Sequence, residues 1–304
     1  MISVILPSYN SEGTIAQTLD ALLQQNFEEE YEIILCDSSR DRTPEIVRSR
    51  YPMVKYHHFA QKTDPGTARN KGVEMSSGEL ILFIDSDCQA EPDWMARMVA
   101  LHRENPDVAA IGGCTVNGND PEDDVAWAGY IAEFREFFPG RPGGFVDHIP
   151  TMNISYKRWV FDELGGFDPH FYPQEDLKFN FYLRQAGHRI LFDPAIRVHH
   201  THRSTYRAFL GHQERIGKIN SQVLKLLPLS GAGLARNKGL FMLLGPFLPF
   251  VKLTRTFFAL LTQYPSILFK HPGSWMAFTI GVFYWFKGFA GGVFSPPLME
   301  NKGE

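Results

Sequence analysis

The sequence predicts an α/β fold: a mostly parallel central sheet flanked by helices, followed by a C-terminal amphipathic helical region. Three observations carry this expectation. Over roughly the first 115 residues, short apolar runs alternate with amphipathic stretches, the rhythm of a parallel sheet with right-handed crossovers. Beyond about residue 207 that rhythm stops, and basic residues stand among longer apolar runs. The charge divides at nearly the same place. Residues 1–202 carry 18 basic and 31 acidic side chains (net −13), residues 203–304 carry 12 and 3 (net +9), and the whole chain is −4.

Ile2–Leu6 reads as the first buried strand. Its apolar run ends at Pro7, and neither a basic leader nor a small-residue cleavage site surrounds it, so it is not expected to be a secretion signal. From Ser11 to Gln25, Ile15, Leu19, Leu22 and Leu23 fall at helical spacing, with Asn10 or Ser11 as N-cap. Tyr31–Cys36 is the second strand, and Thr43-Pro44 opens the helix after it. Val54–His58 and Leu80–Ile84 follow as strands, Pro92–Glu104 as a helix and Val108–Gly112 as a strand. Residues 117–150, rich in Gly, Pro and Asp, form an insertion in which Trp127–Phe138 makes a short helix. The globular pattern resumes from Ile149 to about Arg207. Cys36, Cys88 and Cys114 are too widely spaced for a disulfide framework or zinc knuckle, which points to a reducing compartment.

In sheets of this kind ligands bind beyond the carboxyl ends of the strands. Three such ends carry polar chemistry: Pro7-Ser8-Tyr9-Asn10, Asp37-Ser38-Ser39-Arg40-Asp41 and Asp85-Ser86-Asp87. Each alone is ordinary turn chemistry. Two carboxylates one residue apart after a wholly apolar strand suit a hard divalent cation bridging a diphosphate. Pro65 to Gly72 places Gly66 at a helix start and brings Arg69 and Lys71, cations suited to phosphate. Further on, Glu175-Asp176 precedes an amphipathic run and sits at a helix N-terminus, where the dipole favours an anion.

Together these motifs resemble the opening of family 2 inverting glycosyltransferases with the GT-A fold. The resemblance continues through Asn153, Gly165-Gly166-Phe167-Asp168, Glu175-Asp176, Gly187 and Val198–His202, and it covers about residues 1–215. It implies a nucleotide-sugar donor. Pro7, Tyr9 and Glu12 would line the nucleoside pocket, and Asp37 would accept from the base, uracil or guanine, of which uracil is the commoner in the family. Arg69 would lie near the ribose or phosphates, Asp85 would touch the ribose or sugar, and Asp87 would hold Mn²⁺ or Mg²⁺. Asp176 would be the general base toward an acceptor hydroxyl, with Glu175 orienting the acceptor. His200 and His202, which share a face of an extended segment, would complete the metal site. The pattern departs from many relatives at Lys178 and Tyr182, where they carry Asp and Arg; this bears on the acceptor.

The resemblance divides the chain into a catalytic domain, 1–215, with a nucleotide-sugar half (1–115) and an acceptor half (116–215). Residues 216–304 form a basic, apolar helical region. Its uninterrupted apolar runs reach only about 13 residues between Pro246, Pro249, Lys252, Arg255 and Lys287, short of the ~20 a spanning helix needs. Interfacial or re-entrant helices with snorkelling cations on anionic headgroups are expected, with a short spanning hairpin as a further reading and a helical subdomain or homo-oligomer interface as the soluble alternative. The expectation is a metal-dependent enzyme held peripherally or monotopically at the cytoplasmic face, acting on a lipid-linked saccharide or glycolipid and not on nucleic acid. A polyprenyl-phosphate acceptor, or an inactive nucleotide-sugar binder, is the alternative.

Overall fold

The computed structural model describes residues 1–298. Nine strands form one sheet: β1 (Ile2–Ser8), β2 (Tyr31–Asp37), β3 (Lys55–His58), β4 (Leu80–Ile84), β5 (Cys88–Ala90), β6 (Ala110–Asn117), β7 (Gly144–Val146), β8 (Asn153–Lys157) and β9 (Ile190–His200). The order is β3-β2-β1-β4-β8-β6-β9-β5, with β7 also on β9. The βαβ half, β3-β2-β1-β4, is parallel throughout, as its rhythm implies. Antiparallel pairing enters with β8, which lies between β4 and β6, and recurs where β5 and β7 meet β9. β1 is buried along its whole length, as expected of a strand covered on both faces.

Two compact units result. The first comprises Met1–Gly118 with Glu136–Thr201 and holds every strand among the described residues; the second comprises Asn119–Arg135 with the chain from His202 onward, and its described residues form helices and no strand. The boundary expected at 215/216 falls inside the continuous helix Tyr206–Leu226, and part of the Gly/Pro/Asp-rich insertion belongs to the second unit. The first helix also differs from expectation. It begins at Ile15, with Thr14 as N-cap. Asn10 takes a positive φ of 52°, and the Ser11 carbonyl closes a turn by accepting from Thr14 (3.0 Å) and Ile15 (2.8 Å). The Ser11 hydroxyl is instead a tertiary link, 2.8 Å from that of Ser86.

In the second unit the helices Tyr206–Leu226 and Pro272–Phe294 approach at backbone distance. A Cβ at Gly217 would collide with the Trp285 carbonyl, and one at Gly288 with the Glu214 carbonyl. Because backbone atoms cannot swing aside, Gly217→Val is expected to cost about 1–3 kcal/mol, read as a lower denaturant midpoint at unchanged m-value. Pro246 and Pro249 do not break the following segment; they sit in the opening turns of Gly245–Phe247 and Leu248–Gln263. Lys238–Gln263 (26 residues) and Pro272–Phe294 (23 residues) are each long and apolar enough to cross a membrane, unlike the short runs read from the sequence.

Candidate active site

Pro7 is the last but one residue of the buried β1, while Tyr9, just beyond the strand, is exposed, with the Lys62 ammonium 4.1 Å from its ring centroid. Glu12 accepts from the Arg42 backbone N–H (3.2 Å) and from Arg42 Nε (3.3 Å), fastening the β1 loop to the segment after β2. Ser11, through Ser86, ties the same loop to the Asp85-Ser86-Asp87 turn, and Thr18 Oγ1 donates to the Ser86 carbonyl at 3.0 Å.

Asp37 is fully buried. Its Oδ1 accepts from the Ser39 backbone N–H at 3.1 Å and from the Ser39 hydroxyl. Its Oδ2 accepts from the Tyr56 hydroxyl at 2.8 Å and lies 3.0 Å from His58 Nδ1. The register explains this, since His58 of β3 stands directly opposite Asp37 of β2. With its four acceptor positions engaged inside the protein, Asp37 first organises this end of the sheet. Tyr56 and His58, which meet Asp37 through the β2–β3 register, are not among the residues expected from the sequence.

Arg69 lies on the helix Pro65–Met75, whose N-cap, Asp64, accepts from the Thr67 N–H. Its side chain is 4% exposed and forms two ion pairs: Nη2 with Asp85 Oδ1 at 2.7 Å and Nη1 with Glu175 Oε1 at 2.8 Å. The sequence expectation set Arg69 against ribose or phosphate. The structure instead holds its guanidinium between two protein carboxylates, so it joins the strand-end turn at Asp85 to the helix Glu175–Gln185. Its Nε and the second Glu175 oxygen, Oε2, are buried without hydrogen-bond partners among the described residues. Burial raises the Glu175 pKa, the Arg69 charge draws it back and Asp176 pushes it up again, leaving it at about 7.

Asp176 is half-buried, at the first turn of the same helix. Its Oδ1 accepts from the Leu177 N–H at 2.7 Å and its Oδ2 from the Thr151 N–H at 3.2 Å, so the carboxylate is oriented by backbone donors at the positive end of the helix. Asn70, unremarked in the sequence reading, grips the preceding loop: Nδ2 donates to the Phe167 carbonyl and Oδ1 accepts from the Phe167 N–H, both at 2.8 Å. Lys178 pairs with Asp168 at 2.6 Å and stands 4.2 Å over the Phe171 ring. Asn153 is a structural residue, bonded to Trp94 and to the Cys114 and Ile196 carbonyls.

The pairing of β5 with β9 sets Cys88 opposite His200. Ligand atoms of Asp87, Cys88 and His200 lie within 4.8 Å of one another, with His200 Nε2 3.5 Å from Asp87 Oδ1. A carboxylate oxygen and an imidazole fit Mn²⁺, and Mg²⁺ less readily. Cys88 is a poor third ligand for such a hard ion, because burial and the neighbouring Asp87 and Asp85 charges hold its thiol well above its usual pKa. His202 belongs to the second unit, where its ring packs against Tyr130 and Phe134.

Comparison with known proteins identifies the family and the fold. Residues 3–162, 160 of the 304, match the family described as glycosyl transferase family 2. Over 225 residues the chain is 27% identical to the glucosyl-dolichyl phosphate glucuronosyltransferase of Haloferax volcanii, covering 66% of this chain and 68% of that protein. Among solved structures, the mannosyltransferase PcManGT of Pyrobaculum calidifontis, in complex with GDP-Man and Mn²⁺, superposes with a TM-score of 0.57 at 18% identity, covering 91% of this chain and 73% of that one. TarS 1–349 of S. aureus, in complex with UDP-GlcNAc, gives a TM-score of 0.51 at 22% identity, covering 76% and 68%. At these identities the structural likeness establishes the fold, which is GT-A.

Proposed function

Because the chain belongs to glycosyl transferase family 2, we propose that it moves a sugar from a nucleotide-diphosphate donor, a UDP-sugar first, to a hydroxyl of a lipid-linked saccharide or glycolipid. The observation that carries this reading is the Arg69 bridge, which draws the strand-end turn of Asp85 and Asp87 and the Glu175-Asp176 helix into one cluster. Donor chemistry belongs to the first group and acceptor activation to the second.

Asp176 takes the proton of the acceptor hydroxyl as its oxygen attacks the anomeric carbon. The bond from that carbon to the diphosphate oxygen breaks on the opposite side, so configuration inverts and a nucleoside diphosphate leaves. Glu175 and Arg69 position Asp85 and the helix start. A metal held by Asp87 and His200 would supply charge neutralisation to the departing diphosphate; His202, expected as a further ligand, packs in the second unit against Tyr130 and Phe134 and is left out of this site. Arg69 acts by positioning, since its guanidinium is already bound to two carboxylates. The donor base is read next to Asp37, where His58 or Tyr56 yields its place.

The reading is tested by a donor screen that measures released nucleoside diphosphate with Mn²⁺ present. Asp87→Ala is expected to lower turnover by about 10²-fold or more and to raise the Mn²⁺ needed for half-maximal rate. Equal rates in the variant would remove Asp87 from the metal site.

The helical second unit is assigned to the membrane. Phe250 and Phe258 are 57% and 60% exposed on Leu248–Gln263, beside Lys252 and Arg255, a composition suited to an anionic surface. The cytoplasmic face is assigned because all three cysteines are free and buried. Removing everything beyond about residue 230 would strip Tyr206–Leu226 of the helix packed on it, so point changes are the cleaner test. Phe250→Glu with Phe258→Glu is expected to shift the protein from the vesicle pellet to the supernatant without lowering its Tm. Unchanged partitioning would assign this face to a protein contact.

A further inference from the structure

The helix Tyr206–Leu226 has two faces of opposite character. Phe209, Gln213 and Gly217 recur every four residues and are buried. Arg207, Gly211 and Arg215 recur at the same spacing on another face and are exposed, with Ala208 and His212 alongside. With Arg203 and Thr205, these residues line a groove of about 370 Å³, near the lower end of the ~300–1,000 Å³ common for small-molecule sites. No carboxylate is among the lining residues. Glu133 lies 3.3 Å from His212 Nε2 and accepts from Gln213 at 2.8 Å. Burial would raise its pKa, but His212 and then Arg203 outweigh that and hold it at about 2, so one negative charge faces the histidine side of the groove. Arg203 and Arg207 form no hydrogen bond or ion pair among the described residues. Gly211 leaves the floor bare, since a Cβ there would meet nothing within 4 Å.

We infer that this groove holds the phosphate or diphosphate of the lipid-linked acceptor, an assignment that rests on the acceptor reading above. Guanidinium forks match phosphate oxygens two at a time, whereas a diffuse headgroup surface needs no concavity. The groove and the exposed apolar helix Leu248–Gln263 belong to the same unit, so one unit offers both an anion site and an apolar face for a prenyl chain. Arg203 and Arg207 are then acceptor-binding residues, separate from the donor chemistry.

The test is calorimetric titration of the full chain with farnesyl diphosphate, in the presence of Mn²⁺ and enough nucleoside diphosphate to fill the donor site. Wild type is expected to bind, and Arg203→Ala with Arg207→Ala to bind about tenfold more weakly or worse. The double lysine variant should recover part of the loss. Gly211→Leu, which fills open space on a helix, should block binding at unchanged Tm. Equal binding by wild type and the double alanine variant would overturn the assignment. So would equal binding of farnesol, or a loss confined to phosphatidylglycerol vesicles. Inorganic pyrophosphate binding as tightly as farnesyl diphosphate would make this a free-phosphate site and overturn its lipid assignment. The two readings fail separately. Turnover of a lipid-diphosphate acceptor with an acceptor KM that ignores both arginines removes the groove and leaves the enzyme. Arginine-dependent farnesyl diphosphate binding in a chain that glycosylates no lipid-linked acceptor removes the acceptor reading and leaves the groove.

Discussion

Asp176→Asn is expected to lower the transfer rate by about 10²–10⁴-fold, with the acceptor KM changed little. The amide has nearly the shape of the carboxylate, but its single oxygen serves the Thr151 N–H or the Leu177 N–H and not both, so Tm has to be followed as well. What disappears is the proton acceptor. The measurement is kcat for sugar transfer at saturating donor and metal, with Tm as the control. Glu175→Gln is the informative companion. Its carboxyl already sits near neutrality, at a pKa of about 7, so the amide mimics its protonated form and the rate loss should be much smaller. A near-wild-type rate in Asp176→Asn would move the enzyme to the polyprenyl-phosphate reading, because a phosphate oxyanion attacks without a strong base.

Arg69→Leu is expected to have the largest effect on stability, about 3–5 kcal/mol near pH 8, because it strips a buried ion-pair network of its cation. Asp85 is partly exposed and can turn toward water, whereas Glu175 is almost wholly buried and cannot. The sign with pH follows. The folded-state pKa of Glu175 is already raised from 4.5 to about 7, so its contribution is fully present below pH 4.5 and is lost as pH rises through 7. Without Arg69 the one attractive cation in that balance is gone, and the pKa climbs further. The stability deficit of the variant, followed through Tm, should therefore be flat below about pH 6 and deepen as pH rises through 7, by about 1.4 kcal/mol by pH 8. A deficit independent of pH would mean that Arg69 matters for packing alone.

Much of the fold was legible in the sequence because its signals are local. The apolar runs of β1, β2 and β4 stand out against helical periodicity, and the turns after them carry the polar residues. The antiparallel entry of β8 between β4 and β6 was not legible, since strand partnership depends on pairing across distant segments. The helix expected from Ser11 formed, but it starts at Ile15, and the Ser11 hydroxyl is bonded to Ser86, 75 residues away, instead of capping it. In the tail the prolines, which interrupt the apolar runs in the sequence, occupy opening turns that tolerate a missing N–H, so the helices run longer than the uninterrupted apolar runs.

By itself, the sequence determined the family, the strand-end carboxylates, the Glu175-Asp176 pair and the separation of acidic from basic charge. All of these are properties of residue type and spacing. The tertiary structure alone decided which of those residues neutralise one another. It buried Asp37 among Ser39, Tyr56 and His58, and set His200 beside Asp87 through the β5–β9 register. It also held Arg69 between Asp85 and Glu175, turning a residue expected at phosphate into the bridge of the site. The physical reason is desolvation. A buried charge takes the nearest compensating partner whatever its distance along the chain, and only the folded arrangement says which partner that is.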